Sequence, residues 1–140
     1  MRQIPDGFTK MKNTYGFSKI TNTDLYSKTS TSKDDYPEFA VCFNSQHENL
    51  GGSIHGGVLL TYIDHVSAMA IFHTLEPQAR IVTIQLNSNF ISRGKSGFYI
   101  VAKPKIVRRT PSLIFMECNL YLNNKIILSS SGIWKVLWTN

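Results

Sequence analysis

The sequence predicts an α+β fold in which one long helix packs against an antiparallel sheet. Two observations support this. A helical pattern runs from Gly56 to about Leu75, and four strand-like segments joined by short turns follow it. Since no other part of the chain could bury the helix, we expect the sheet to wrap around it.

The helix 56–75 has apolar residues at the three-to-four-residue spacing of one helical face, and also on its other faces. A helix that is apolar nearly all round is expected to be buried nearly all round. Glu76-Pro77 is expected to end it, because proline and the residue before it disfavour helical continuation.

The strand candidates after the helix are 80–92, 97–109, 112–122 and 125–138, and a further candidate, 37–44, precedes it. Their connecting segments are short, so consecutive strands after the helix are expected to pair antiparallel.

Residues 1–35 are polar, and they predict an irregular N-terminal extension with a short helix around residues 7–15. No linker or repeat divides the chain, so we expect residues 1–140 to form a single domain.

The composition is that of a globular protein, with 42% hydrophobic and 17% charged residues. We find no secretory signal pattern and no apolar run approaching the roughly 20 residues that a membrane helix needs. The sequence therefore predicts a soluble cytoplasmic protein with no membrane partner. Cys42 and Cys118 lie in apolar segments, which is typical of buried thiols in a reducing compartment.

The net charge is +6, from 15 Lys and Arg against nine Asp and Glu. Because the basic residues are scattered along the chain, we do not expect a nucleic-acid partner. A phosphorylated small ligand and a solvated basic surface both explain the charge.

The segment HENLGGSIHGGVLLTYIDHVSAMA (47–70) contains the most informative polar residues. Its glycines lack the spacing of a phosphate-binding loop, and the chain offers no parallel βαβ unit for a dinucleotide fingerprint. The pattern G-x-S-x-G fails because His55 occupies its last position. No two histidines have the i, i+4 spacing of a helical zinc motif, so no metal is expected.

The start of the helix remains as a candidate site. Its first amides have no helical acceptor and lie at the positive end of the helix dipole. Glycine at positions 56 and 57 would let a carbonyl oxygen approach these amides closely, as in an oxyanion hole. The alternative is that the two glycines only permit a tight turn into the helix.

Asp64 lies in the middle of the apolar helix, where an unpaired carboxylate is costly. No basic residue within one turn could form an ion pair with it, which favours a general base or nucleophile in a cleft. Gly56 and Asp64 are eight residues apart, about 12 Å along a helix. One carbonyl could not contact both in one chain, so a site that uses both would combine two subunits.

The motif H-x-N-x-x-G-x-x-H-G-G, followed seven residues later by Asp, resembles hotdog-fold acyl-CoA thioesterases. The resemblance covers residues 37–138 and is greatest to the phenylacetate-degradation-like branch of the 4-hydroxybenzoyl-CoA thioesterase superfamily. It implies hydrolysis of an acyl-CoA thioester to a free acid and coenzyme A. It also implies no cofactor apart from the coenzyme A of the substrate, and a homodimer or homotetramer with active sites at the subunit interface.

The resemblance implies three catalytic residues. The Gly56 amide, with help from Gly57, would polarise the thioester carbonyl. Asn49 would lie near this carbonyl or the attacking water, and Asp64 of the facing subunit would act as general base or nucleophile.

Two further positions match the family. Thr83 corresponds to a Ser or Thr that positions water or the acid, and His55 would tie down the loop by hydrogen bonds. The substrate-binding set is therefore Gly57, His55 and Thr83.

The alternative function is a non-catalytic acyl-CoA-binding or sensing module on the same fold. A sensor should carry an added regulatory segment, and residues 1–35 are too polar and irregular for one. A hydratase of this fold is not expected, because its Asp-x4-His pattern has Met69 in place of the histidine. Aryl, short-chain and longer-chain acyl groups are all compatible with the sequence.

Overall fold

The computed structural model describes residues 2–12, 16–29 and 36–138. In chain order their elements are β1 Thr9–Lys10, α1 Phe17–Thr21, β2 Leu25–Lys28, β3 Glu38–Cys42, a 3-10 turn Ser45–His47, α2 Gly56–Phe72, β4 Ala79–Phe90, β5 Tyr99–Arg109, β6 Leu113–Leu122 and β7 Lys125–Trp138. The strands form a seven-stranded antiparallel sheet in the order β1-β2-β3-β5-β6-β7-β4, and the long helix α2 packs on it. The predicted α+β architecture is confirmed.

Helix α2 buries one face, at three-to-four-residue spacing, whereas Thr61, Asp64 and Ala68 on its other side are half-buried. The expectation that the helix is buried nearly all round is therefore wrong for the single chain. The phenol of Tyr62 is fully buried and donates a hydrogen bond to the Ile100 carbonyl at 3.0 Å, so its burial leaves no unpaired polar group. The helix ends at Phe72, three residues before the predicted Leu75. No helix in the described ranges is long and apolar enough to cross a membrane.

The expectation that every consecutive pair of strands after α2 is adjacent is wrong for β4 and β5. Strand β4 pairs with β7 at the edge of the sheet, and β5 pairs with β3 and β6. The reason is the segment 91–98, which does not form a hairpin turn. This segment crosses the end of the sheet from β7 to β3. At its start the Ile91 amide donates to Ile127 O of β7 at 2.9 Å, and near its end the Gly97 amide donates to Phe43 O, just after β3, at 2.8 Å.

The expectation of an irregular extension at 1–35 is wrong for the described part of that segment. Strands β1 and β2 extend the sheet, and α1 packs against α2. The helix expected around 7–15 is replaced by β1 at its centre, while residues 13–15 lie outside the described ranges. Phe17 and Leu25 are almost fully buried, so isolated apolar side chains anchor a polar segment whose composition alone suggests no packing.

The two cysteines are free thiols. Cys118 is buried and Cys42 is half-buried. Burial raises the pKa of Cys118 to about 12, and burial also raises the pKa of Cys42. The Cys118 thiol is therefore protonated at neutral pH and contributes to the structure as an apolar side chain.

Candidate functional site

His47 holds the glycine-rich loop against the rest of the protein. Its Nδ1 accepts a hydrogen bond from the Asn44 amide at 3.1 Å, and its Nε2 lies against the Thr21 carbonyl at the end of α1. Acceptance at Nδ1 implies that Nε2 carries the proton and donates it to Thr21. The His47 carbonyl accepts from the His55 amide at 2.8 Å. One buried ring thus joins α1 to the loop that leads into α2.

Asn49 organises the tip of this loop through its side-chain oxygen. Asn49 Oδ1 accepts from the amides of Gly51 at 2.9 Å and Ser53 at 3.2 Å. This Asx-type arrangement uses the acceptor end of the carboxamide. No hydrogen bond within the described ranges uses its NH2 group, which is therefore the end that could donate to a ligand.

The first two amides of α2 differ in how they are used. His55 caps the helix, because its Nδ1 accepts from the Gly57 amide at 3.0 Å. The Gly56 amide has no acceptor within the described ranges. Gly56 therefore presents the available donor at the positive end of the helix dipole. A contribution from Gly57 stays a prediction, and it would require the His55–Gly57 hydrogen bond to open.

A cleft of about 900 Å³ adjoins the start of α2. Its lining includes Asn49, Gly56, Leu59, Phe90 and Arg93. The cleft therefore has a polar wall of loop residues and an apolar wall. Its volume is that of a small-molecule site.

Phe90 lies close to Gly56. A Cβ placed on Gly56 would lie 3.1 Å from Phe90 Cε1 and 3.3 Å from Cζ, so the ring would have to shift by a few tenths of an ångström to admit alanine. Nothing in the local sequence pattern shows that Phe90, at a strand end 34 residues away, lies against Gly56.

Asp64 is half-buried and bonded to the neighbouring strand. Thr83 Oγ1 of β4 donates to Asp64 Oδ1 at 2.7 Å. The pairing of β4 with β7 shifts register between Thr83 and Gln85, and such a bulge re-aims the side chains beside it. Asp64 is not among the residues that line the cleft at Gly56. Within one chain, Asp64 contacts Thr83, whereas Asn49 lies in the loop before Gly56.

His65 follows Asp64 and packs against α1 instead of β4. Its ring stacks on Phe17 of α1, with 5.0 Å between centroids. Burial lowers the pKa of His65 below its usual value of 6.5, while the nearby Asp64 carboxylate acts in the opposite sense. The neutral imidazole is therefore the form that this packing favours.

The chain matches known proteins over most of its length. Residues 51–126 match the family model described as Thioesterase superfamily. Acyl-coenzyme A thioesterase 13 of mouse is 30% identical over 105 residues, which cover 73% of this chain and 74% of that protein.

Two solved structures share the fold. A phenylacetic acid degradation-related protein of Ralstonia eutropha superposes with a TM-score of 0.79 at 18% identity, over 89% of this chain and 92% of that one. A protein of Streptococcus pneumoniae, described as a hypothetical thioesterase and solved with coenzyme A, superposes with a TM-score of 0.73 at 17% identity, over 83% and 88%. The predicted hotdog fold is confirmed by these likenesses and by the sheet and helix described above.

Proposed function

The chain belongs to the thioesterase superfamily and is a thioester hydrolase, and we propose that it hydrolyses an acyl-CoA thioester to a free acid and coenzyme A. The observation that carries this proposal is the Gly56 amide, which has no acceptor in the described ranges and belongs to a residue that lines a cleft. A thioester carbonyl oxygen is the kind of acceptor that such a donor stabilises when negative charge develops on it.

Two likenesses support coenzyme A as the carrier of the acyl group. The mouse relative is named an acyl-coenzyme A thioesterase, and the protein of Streptococcus pneumoniae was solved with coenzyme A. In this chain Arg93 lines the cleft, where a guanidinium suits a phosphate. The expected location in the cytoplasm, where such a substrate would be met, stays a prediction.

The donors and the acid of the proposed site come from different subunits. Eight helical residues separate Gly56 from Asp64, about 12 Å, and Asp64 does not line the cleft. In the proposed site, the Gly56 amide and the Asn49 NH2 group of one subunit face Asp64 of its partner. Each interface related by a two-fold axis would then contain two such sites.

The edge of the sheet supports this assembly. Strand β4 is 12 residues long, and among the described residues its one partner is β7, so its other edge is unpaired in that part of the chain. Two of its apolar side chains, Val82 and Ile84, are 46% and 55% exposed. A long apolar edge strand is a liability unless something covers it. A second copy of the chain would cover it in a homodimer, and a homotetramer of two such dimers would keep the same sites.

The proposed reaction begins with the carbonyl oxygen bound by the Gly56 amide. Asp64 removes a proton from a water molecule, the water oxygen attacks the carbonyl carbon, and the negative charge moves to the bound oxygen. Collapse of this intermediate breaks the C–S bond, and the thiolate of coenzyme A takes up a proton as it leaves. Thr83 orients the carboxylate through its hydrogen bond.

In the alternative path, Asp64 itself attacks and forms an acyl anhydride that water then hydrolyses. A single turnover in ¹⁸O-labelled water tests for the anhydride. Attack of water at its Asp64 carbonyl leaves the first acid product unlabelled and puts the label into the Asp64 carboxylate, which direct attack of water on the thioester cannot do.

The proposal is tested by measuring thiol release from a panel of acyl-CoA substrates. The panel runs from acetyl-CoA through palmitoyl-CoA and includes phenylacetyl-CoA and benzoyl-CoA. Asp64→Asn should lower kcat by roughly 100-fold or more, as expected for loss of a general base. Asp24→Asn is the matched control, because Asp24 is exposed and pairs with Lys10 on the surface at 3.0 Å. If the wild type binds acyl-CoA but hydrolyses none of these substrates, the proposal is wrong and the protein is an acyl-CoA-binding module.

A further inference from the structure

A second hollow lies on the face of the sheet that points away from α2. Side chains alternate along β5: Ile100 and Ala102 are buried towards the helix, so Tyr99, Val101 and Lys103 point outwards. These three line a cavity of about 650 Å³. It shares no lining residue with the cleft at Gly56. The hollow is therefore separate from the proposed active site.

The N-terminal segment forms the outer wall of this hollow. Arg2, Pro5 and Phe8 line it together with residues of β2, β3, β5 and β6. Gly7 has φ +83°, and a Cβ there would lie 3.1 Å from Lys28 Cε, so a glycine lets the segment turn close to the end of β2. The described N-terminal residues thus complete a cavity that the sheet alone would leave open.

Three cations line the hollow, and each lies over an aromatic ring. The quadrupole of an aromatic ring attracts a cation that lies over its face. The N–H groups of the cation that do not point at the ring stay available to donate hydrogen bonds to an anion. The pairs, with the distance to the ring centroid, are Arg2 over Phe98 at 3.2 Å, Lys103 over Tyr121 at 4.9 Å and Lys28 over Phe8 at 6.0 Å.

No acid neutralises these cations in the described ranges. The ion pair found there is Lys10 with Asp24, outside the hollow. Glu38 lies opposite Lys28 in the β2–β3 register and lines the hollow, yet the two do not form an ion pair. Among the described residues, the wall of the hollow has three cations and one carboxylate, which is an excess of positive charge, and Glu38 is an acceptor outside any ion pair.

We propose that this hollow binds a nucleotide, that is, a flat aromatic base joined through a sugar to phosphate. The ring-backed cations would bind the phosphate by charge-assisted hydrogen bonds. The exposed face of the Arg2 guanidinium and the tyrosine rings would stack on the base. Glu38 would accept hydrogen bonds from sugar hydroxyls. The volume lies within the range of roughly 300 to 1,000 Å³ that small-molecule sites occupy.

The residues that line this hollow take no part in the proposed hydrolysis. The ligand of the hollow could come from two sources with the same chemistry, a free nucleotide or the nucleotide end of coenzyme A. ADP is therefore the first probe and coenzyme A the second, and isothermal titration calorimetry measures the binding of each.

The test compares ADP binding by the full-length wild type with binding by Lys103→Gln and Lys135→Gln. Lys103 lines the hollow, whereas Lys135 is an exposed residue of β7 that does not. Loss of one charged hydrogen bond should weaken ADP by about tenfold or more in Lys103→Gln, and Lys135→Gln should bind as the wild type does. Lys103→Arg should retain most of the affinity. In labelled protein, ADP should shift the backbone amide resonances of residues 98–103.

Coenzyme A distinguishes the sources. If it displaces ADP and is itself weakened by Lys103→Gln, the site holds the nucleotide end of the substrate. If both bind together, the site holds a free nucleotide. The proposal is overturned if ADP does not bind at millimolar concentration, if Lys135→Gln weakens it equally, or if ADP shifts residues 56–64 instead.

Discussion

The hydroxyl of Thr83 donates a hydrogen bond of 2.7 Å to Asp64 Oδ1, which joins the edge strand β4 to the middle of α2. Both residues belong to the same chain, so the orientation of the Asp64 carboxylate needs no partner subunit. A carboxylate held in one rotamer is better prepared to take a proton than one that must be ordered in each turnover.

Removing this hydroxyl should slow catalysis without removing the acid. Thr83→Val keeps the shape of the side chain and deletes the donor, and a hydrogen bond to a charged group is worth about 1.5–3 kcal/mol. We expect kcat for thiol release to fall by roughly tenfold or more. Thr83→Ser keeps the hydroxyl and should stay within a few-fold of wild type. Equal rates for Val and Ser would show that the hydrogen bond has no role in turnover.

The Gly56 amide can be removed without breaking the helix. Proline is tolerated at the first helical position, where its missing N–H has no helical acceptor. Gly56→Pro should lower kcat by about 10² or more, as loss of one oxyanion donor does in other enzymes. The control is Gly56→Ala, which places a Cβ against the same Phe90 ring but keeps the amide. If alanine and proline are equally slow, steric displacement of Phe90 rather than the lost donor explains the effect.

Mixed dimers test whether the site combines two subunits. Gly56→Pro and Asp64→Asn each inactivate both sites of a homodimer. When they are co-refolded in equal amounts, half of the dimers should be mixed, and each mixed dimer has one intact site. Activity should return to about a quarter of the wild-type value. If mixing restores no activity although mass spectrometry detects the mixed dimer, the Gly56 amide and Asp64 act within one subunit.

The packing of His65 on Phe17 predicts how stability depends on pH. Burial lowers the pKa of His65 below 6.5 in the folded state, so on acidification the unfolded chain takes up a proton before the folded one does. The free energy of unfolding should therefore fall as pH drops below about 6.5. Urea unfolding at pH 7.5 and 5.5 measures this change. It should be smaller in His65→Gln, and an equal change in both proteins would contradict the prediction.

The sequence by itself determined the elements whose signals are local. Helix α2 follows from apolar spacing over consecutive turns and begins at Gly56 as predicted. The strands after it follow from alternation and short turns, to within a few residues at their ends. The motif from His47 to Asp64 indicated the family, because its residues lie in a single loop and the helix that follows it.

Only the tertiary structure decided the relationships between distant segments. The choice of β7 rather than β5 as the partner of β4 depends on where the segment 91–98 crosses the sheet, and alternation is the same for either partner. Likewise, the polar N-terminal segment joins the sheet through a few buried side chains. The same limit applies to the site. The hydrogen bonds from the Gly57 amide to His55 and from Thr83 to Asp64 depend on side-chain directions, and packing decides these directions.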